Sequence, residues 1–419
     1  MIKEITPAGP IKAHIRVPGS KSITNRSLVC AALAKGESRI LNASDCEDTA
    51  LMANGLNQLG VLVRKQEDMM LVEGTGGRLF APKFPIPVDN AGTTLRFLLA
   101  LSSISQGKVM LQADDRMAER PIEELLNALQ TLGVDARVQK GSALYEVTGG
   151  SLRGGRVQLC SNKTSQFLSS LLMVIPYASE NVTVELDGKL ASKPYIDTTI
   201  EVMRQFGVSV QSADRASYTV KAGLRYKPRE FHVESDASGA SYFLAAAAIT
   251  GGEVFVDALR LQSLQGDAMF VRILEQMGCK FEERSDGISL QSNGTLAPVD
   301  IDMNTMPDTV PTLAVTALFA KGRSRLKNIA HLRYKESDRL EALVTELQKL
   351  GARITLSGDS LEIEPVPLHG AQLDTYNDHR LAMSFALVGL KIPGVRIEGP
   401  ECVRKSFPTF WKEFAKLNQ

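Results

Sequence analysis

Apolar positions along the chain recur in two interleaved patterns. In the first, a stretch with apolar residues at helical spacing ends in a bulky residue and a glycine, and two short alternating segments follow around a polar turn. LNQLGVLVR at Gly60, LQTLGVDARV at Gly133, MRQFGVSV at Gly207, LEQMGCKFEE at Gly278 and LQKLGARITL at Gly351 carry it, at intervals of 73, 74, 71 and 73 residues. The spacing predicts a helix, a left-handed glycine just past its end, and a pair of strands. In the second pattern, small or polar residues open an Ala/Leu-rich helix that ends near Gly or Asn and leads into a β-branched strand. Its six copies are KSITNRSLVCAALAKGESRI, AGTTLRFLLALSSISQGKVML, TSQFLSSLLMVIPYASENVTVEL, ASGASYFLAAAAITGGEVFV, DTVPTLAVTALFAKGRSRL and NDHRLAMSFALVGLKIPGVRI. The most apolar runs, FLSSLLMVIPYA and YFLAAAAI, are too short to span a bilayer and read as buried helices.

Together the two patterns predict six βαβαββ repeats that use up the whole chain, an α/β (α+β) architecture. The first pattern has only five complete copies, because the last helix, FPTFWKEFAKLNQ, ends where its strand pair should begin. The segment ITPAGPIKAHIRVPG at the other end offers the missing strands, so the N-terminal strands are expected to complete the last repeat. Two domains of three repeats follow: 1–19 with 235–419, containing both termini, and 20–234.

Charge and cysteine usage narrow the function. A net charge of +1 gives no global field to recruit nucleic acid or a membrane surface, so any affinity for anions must come from local clustering. The five cysteines are odd in number and widely spaced, which argues against a disulfide framework or zinc site and for a reducing, cytoplasmic setting. No secretory leader pattern opens the sequence.

The starts of the second-pattern helices collect residues suited to anions, where backbone N–H groups and the helix dipole already favour negative charge. PGSKSITNR brings Lys21, Ser22 and Arg26; DNAGTTLR brings Gly92, Thr93 and Arg96; NKTSQ brings Thr164, Ser165 and Gln166. Asp308 and the pair His379–Arg380 stand at the fifth and sixth starts. Loops add Arg120, Ser192, Tyr195, Lys335, Glu336, Arg339 and Lys405. Each has an ordinary alternative. A lone loop Lys or Arg is usually solvated, Asp308 could cap a helix, Glu336 could pair on the surface, and His379 could cap or pack. No P-loop, dinucleotide fingerprint or HExxH motif is present.

Eleven stretches in order resemble the 5-enolpyruvylshikimate-3-phosphate synthase family of enolpyruvyl transferases: PGSKSITNR, DNAGTTLRF, ERPIEELLNAL, SQFLSSLLM, SKPYIDTT, ESDASGASYFLAAAAI, LQGDAM, PDTVPTLAVTALFAKG, YKESDRL, TYNDHRLAMSFAL and RKSFPTFW. The resemblance implies two domains, each with three repeats about a pseudo-threefold axis, and an active site in the cleft between them. It implies a cytoplasmic monomer that transfers the enolpyruvyl group of phosphoenolpyruvate to the 5-hydroxyl of shikimate 3-phosphate, with no metal, cofactor, nucleic acid or membrane partner. Asp308 would accept the hydroxyl proton, Glu336 or Lys405 would protonate the methylene carbon, and Lys21 would assist while touching both substrates. Phosphoenolpyruvate would meet Lys21, Gly92, Thr93, Arg120, Gln166, Arg339, His379, Arg380 and Lys405. Shikimate 3-phosphate would meet Lys21, Ser22, Arg26, Thr164, Ser165, Gln166, Ser192, Tyr195, Asp308 and Lys335.

Two positions depart from the family pattern: Thr164 stands where Ser is usual, and Phe97 where many members have Pro. Sensitivity to glyphosate, an occupant of the phosphoenolpyruvate position, is also implied, with Phe97 placed to shift Gly92 or Thr93. A related fold that uses a UDP-amino sugar usually carries a cysteine in the loop corresponding to DDRMAERP, and none lies between Asp114 and Pro121. An inactive anion-binding homologue would be expected to have lost some of Lys21, Asp308, Glu336 and Arg380.

Overall fold

The computed structural model describes residues 1–139, 141–188, 190–213 and 216–418. Two compact units emerge, Gly19–Val233 and Met1–Pro18 with Glu234–Gln419. No helix of the described residues is long and apolar enough to cross a membrane.

The Gly19–Val233 unit holds three four-stranded sheets built to one plan. Ile86–Asp89 runs parallel to Lys108–Ala113, with helix Gly92–Ser102 between them in the chain. Leu144–Thr148 then pairs antiparallel to Lys108–Ala113, and Asp135–Val138 lies outermost. Gly155–Cys160, Val182–Asp187, Ser217–Val220 and Gln211–Ala213 repeat the order. In the remaining sheet, Lys35–Leu41, Met69–Thr75 and Leu62–Gln66 take the inner and outer places. The parallel edge strand there is Glu230–His232, drawn from the unit's far end.

The other unit has two four-stranded sheets and one of three strands. Here the N-terminal strands divide, correcting the expectation that both complete the last repeat. Ile2–Glu4 does so, pairing antiparallel with Arg396–Glu398 beside Gln372–Asp374. Ile11–Ile15 goes elsewhere, running parallel to Gly252–Asp257. The reason is a vacancy created upstream. Glu230–His232, the strand just before helix Ala237–Thr250, is already spent on Lys35–Leu41, so this repeat takes its parallel edge strand from the chain start.

The two helical patterns resolve into two roles. Lys21–Leu33, Gly92–Ser102 and Gln166–Val174 are buried nearly all round, and so are Ala237–Thr250, Val310–Ala317 and His379–Gly389. A helix apolar on every side belongs at the centre of its unit. The amphipathic helices, such as Glu123–Thr131 and Arg339–Lys349, bury one face only. The glycines that end this set, Gly60, Gly133, Gly207, Gly278 and Gly351, all have positive φ, from 83° to 104°. That left-handed step turns each chain end out of its helix without the clash a β-carbon would bring.

Candidate active site

In both units the central helices begin where charged side chains gather. In Met1–Pro18/Glu234–Gln419, the first residue of helix Arg339–Lys349 organises the group. Arg339 donates from Nε to Asp378 Oδ2 at 2.8 Å, from Nη1 to Asp308 Oδ1 at 3.0 Å, and from Nη2 to Glu336 Oε2 at 2.8 Å. Arg380 donates to the other Asp308 oxygen at 3.2 Å and to the Tyr242 hydroxyl at 3.3 Å. Asp378 caps helix His379–Gly389 by accepting from the Arg380 backbone N–H, and it also accepts from the Ser337 hydroxyl.

Exposure separates the three acids. Asp378 is fully buried, whereas the side chains of Glu336 and Asp308 keep 11% and 20% of their surface. Asp378 is therefore structural charge, while Glu336 and Asp308 can meet a ligand. Burial alone would push the Asp308 carboxyl up. Arg380, Arg339 and Lys335 outweigh it and hold the group well below the usual carboxylate range. Asp308 is thus ionised, and it does not cap its helix. For Arg339, burial opposes the charge, but Asp378, Glu336 and Asp308 together raise its pKa. His379 is buried with Nδ1 3.8 Å from Asp378, and Lys335 and Lys405 are partly buried. His331, packed in the same region, is driven down to about 3, by burial first and by Lys335 next.

In Gly19–Val233 three buried arginines, Arg26, Arg96 and Arg120, donate to neutral oxygens. Arg26 reaches the Thr199 hydroxyl at 2.7 Å, the Ser169 hydroxyl at 3.3 Å, and the Ser22 and Tyr195 carbonyls at 2.8 and 3.3 Å. Its guanidinium lies over the rings of Phe97 and Tyr195, and burial lowers its pKa to about 10. Arg96 donates to Gln166 Oε1 at 2.7 Å and to the Pro121 carbonyl at 2.7 Å. Arg120 donates to Asn90 Oδ1 at 3.0 Å. Lys21 pairs with Asp48 at 2.8 Å. Gln166 links the next helix start back to the Thr93 hydroxyl at 3.1 Å, and its own N–H donates to Thr164 Oγ1 at 3.2 Å.

Gly92 stands between two of these cations. A β-carbon there would lie 2.6 Å from Nη1 of Arg96 and 2.6 Å from Nη2 of Arg120. Helix N–H groups and two guanidiniums thus converge on a backbone with no side chain, a cradle for a small anion. Ser165 is buried near Thr164, and Ser192 is buried in a left-handed conformation with φ 58°. A non-glycine residue held there costs about 1–3 kcal/mol, a strain that tends to persist at ligand-binding turns.

Residues 5–414 match the family model of EPSP synthase (3-phosphoshikimate 1-carboxyvinyltransferase). The chain belongs to this family. It is 44% identical over 422 residues to 3-phosphoshikimate 1-carboxyvinyltransferase of Syntrophobacter fumaroxidans, covering all of both chains. It is 42% identical over 412 residues to that of Trichormus variabilis, covering 97% of each. Among solved structures, EPSP synthase from Acinetobacter baumannii superposes with a TM-score of 0.83 at 26% identity, over 100% of this chain and 98% of that one. The enolpyruvyl transferase NikO from Streptomyces tendae shares the fold, with a TM-score of 0.80 at 17% identity, over 99% and 97%.

Each predicted site residue falls into one of the two units. Lys21, Ser22, Arg26, Gly92, Thr93, Arg120, Thr164, Ser165, Gln166, Ser192 and Tyr195 lie in Gly19–Val233; Asp308, Lys335, Glu336, Arg339, His379, Arg380 and Lys405 lie in the other. Phe97 lies beneath Arg26. Sequence reasoning missed Asp48, Asn90, Tyr242 and Asp378, the partners that fix the cations. Only Asp378 left a trace, as the capping acid two residues before Arg380 in NDHR.

Proposed function

We propose that this chain transfers the enolpyruvyl group of phosphoenolpyruvate to the 5-hydroxyl of shikimate 3-phosphate and releases phosphate. Asp308 carries the reading: a partly exposed, ionised carboxylate held on both oxygens by arginines within an EPSP synthase-family chain. The hydroxyl oxygen attacks C2 of phosphoenolpyruvate while Asp308 takes its proton, and Glu336 or Lys405 delivers a proton to C3. The tetrahedral ketal then loses C3's extra proton and breaks its C–O bond to phosphate. An aspartate held so low is a weak base at rest. Anionic substrates that draw on Arg380 and Lys335 raise its proton affinity at the moment it is needed.

Arg120, Arg339, Arg380, His379, Lys405 and the backbone at Gly92 and Thr93 would hold the phosphoenolpyruvate anion. Ser22 and Arg26 would take the shikimate carboxylate and hydroxyls. Thr164, Ser165, Ser192 and Lys335 would take the 3-phosphate, with Gln166 and Tyr195 against the ring and Lys21 touching both substrates. The same reading makes the protein a cytoplasmic monomer, which sedimentation of the purified chain checks.

Phosphate release from phosphoenolpyruvate, measured with shikimate 3-phosphate and separately with a UDP-amino sugar, tests the proposal. Release only with the sugar nucleotide would overturn it.

A further inference from the structure

The stretch LQGDAM has no part in the reaction above, yet its aspartate lies deep beside the Asp308 cluster. Asp267 is 4% exposed, in the short turn Gly266–Met269. Its Oδ2 accepts from the Ser238 hydroxyl, in the first turn of helix Ala237–Thr250. Its Oδ1 is buried and has no hydrogen-bond partner among the described residues. The charged groups facing it come from three elements. Asp308 comes from the turn Pro307–Thr309, Arg380 from the start of helix His379–Gly389, and Asp236 from the cap of helix Ala237–Thr250.

Two of those three neighbours are acids, and Asp267 has no ion-pair partner among the described residues. A buried carboxylate in that position is costly, whereas a neutral carboxyl there forgoes only a hydrogen bond. Burial pushes its pKa up to about 7, with the Asp308 charge adding to the rise and Arg380 opposing it.

We propose that Asp267 is a positioning residue that serves in its protonated form. Neutral, it leaves the charge of Arg380 to Asp308 and to a bound anion; ionised, it turns that charge inward. The inference rests on the reading of Arg380 as a group that meets anionic substrate. By linkage, an anion that raises the proton affinity of Asp267 is itself bound more weakly, by the same factor, once Asp267 has lost its proton.

The test is the pH dependence of KM for phosphoenolpyruvate from pH 6 to 9, with Asp267→Asn beside the unsubstituted enzyme. Asparagine is neutral at every pH and still accepts from Ser238. Its use of the same substrate removes phosphoenolpyruvate's own ionisation from the ratio of the two KM values. The ratio of unsubstituted to variant KM should climb about tenfold through pH 7, the consequence of a one-unit reciprocal shift, with kcat changing less. A ratio flat across the range overturns the proposal.

Ser238→Ala gives an independent readout should the asparagine variant fail to fold. Loss of the donated hydrogen bond raises the proton affinity of Asp267, so the rise in KM should move to higher pH; an unmoved midpoint again overturns the role. Arg380→Gln separates the two readings. If it leaves KM for phosphoenolpyruvate unchanged, the assignment of Arg380 fails, and the role of Asp267 falls with it.

Discussion

The buried arginines at the candidate site keep different company in the two units. Arg26, Arg96 and Arg120 donate to hydroxyl, carbonyl and amide oxygens. Arg339 and Arg380 donate to carboxylates. A guanidinium held by neutral oxygens, as those of Arg26 and Arg120 are, is fixed in place without being neutralised. One bound to carboxylates shares its charge with them and sets their proton affinity as well. The same residue type thus presents its charge to neutral oxygens in one unit and shares it with carboxylates in the other.

The sharpest way to break this contrast is at Arg339. Its removal strands the fully buried Asp378, so Arg339→Ala should cost about 3–5 kcal/mol, the scale for breaking a buried ion pair, and abolish measurable turnover. Lysine should not rescue it, since one ammonium cannot reproduce a planar fork shared by three acids. Urea unfolding together with turnover checks both, and a stable, active Arg339→Lys would undo the argument.

Asp308→Asn comes next. It keeps the shape but removes the proposed base, so kcat should fall by about 10²–10⁴, the usual range for a general base. Stability should change in a pH-dependent way. The folded-state pKa of Asp308 is depressed, so its stabilising contribution is present above the unfolded value of 3.8 and lost as pH falls below it. Above that value the asparagine variant should be the less stable protein, and in strong acid the two should converge.

Gly92→Ala tests the holding side. A methyl group 2.6 Å from two guanidinium nitrogens must push Arg96 or Arg120 aside. KM for phosphoenolpyruvate should rise by about tenfold, the factor of 1.4 kcal/mol, with kcat much less affected. An equal loss in kcat would mean that this cradle takes part in the chemical step.

At neutral pH the smallest expected effect is at His331, where the carboxylate-rich unit also buries a neutral ring. Its folded pKa of about 3 lies below the unfolded 6.5, so stability is full above 6.5 and falls as pH drops toward 3. Replacing it with Gln should remove up to one proton from the pH slope in that window. Chemical denaturation at successive pH values reads this directly, and an unchanged slope would place the acid sensitivity elsewhere.

How much of this was legible beforehand follows from the range of the interactions. The repeats were legible because each helix end is local: five glycines at even spacing announce five left-handed exits. The charged helix starts were legible for the same reason. Their partners were not. Arg26 is held by Ser169 and Thr199, 143 and 173 residues away, and no spacing rule links them. Asp48 and Tyr242 are ordinary letters until folding brings them to Lys21 and Arg380. The division of the N-terminal strands was hidden in the same way, because it depends on which edge Glu230–His232 has already filled.

That division also fixes an order of events on the ribosome. Gly19–Val233 becomes complete once Glu230–His232 has emerged, with every sheet of the unit supplied from within it. Two strands of the other unit wait longer. Ile11–Ile15 finds its neighbour only when Gly252–Asp257 has emerged, and Ile2–Glu4 only when Arg396–Glu398 has emerged. The nascent chain therefore carries two unpaired strand edges until Gly252–Asp257 is made and one of them well beyond, the interval being longest for Ile2–Glu4.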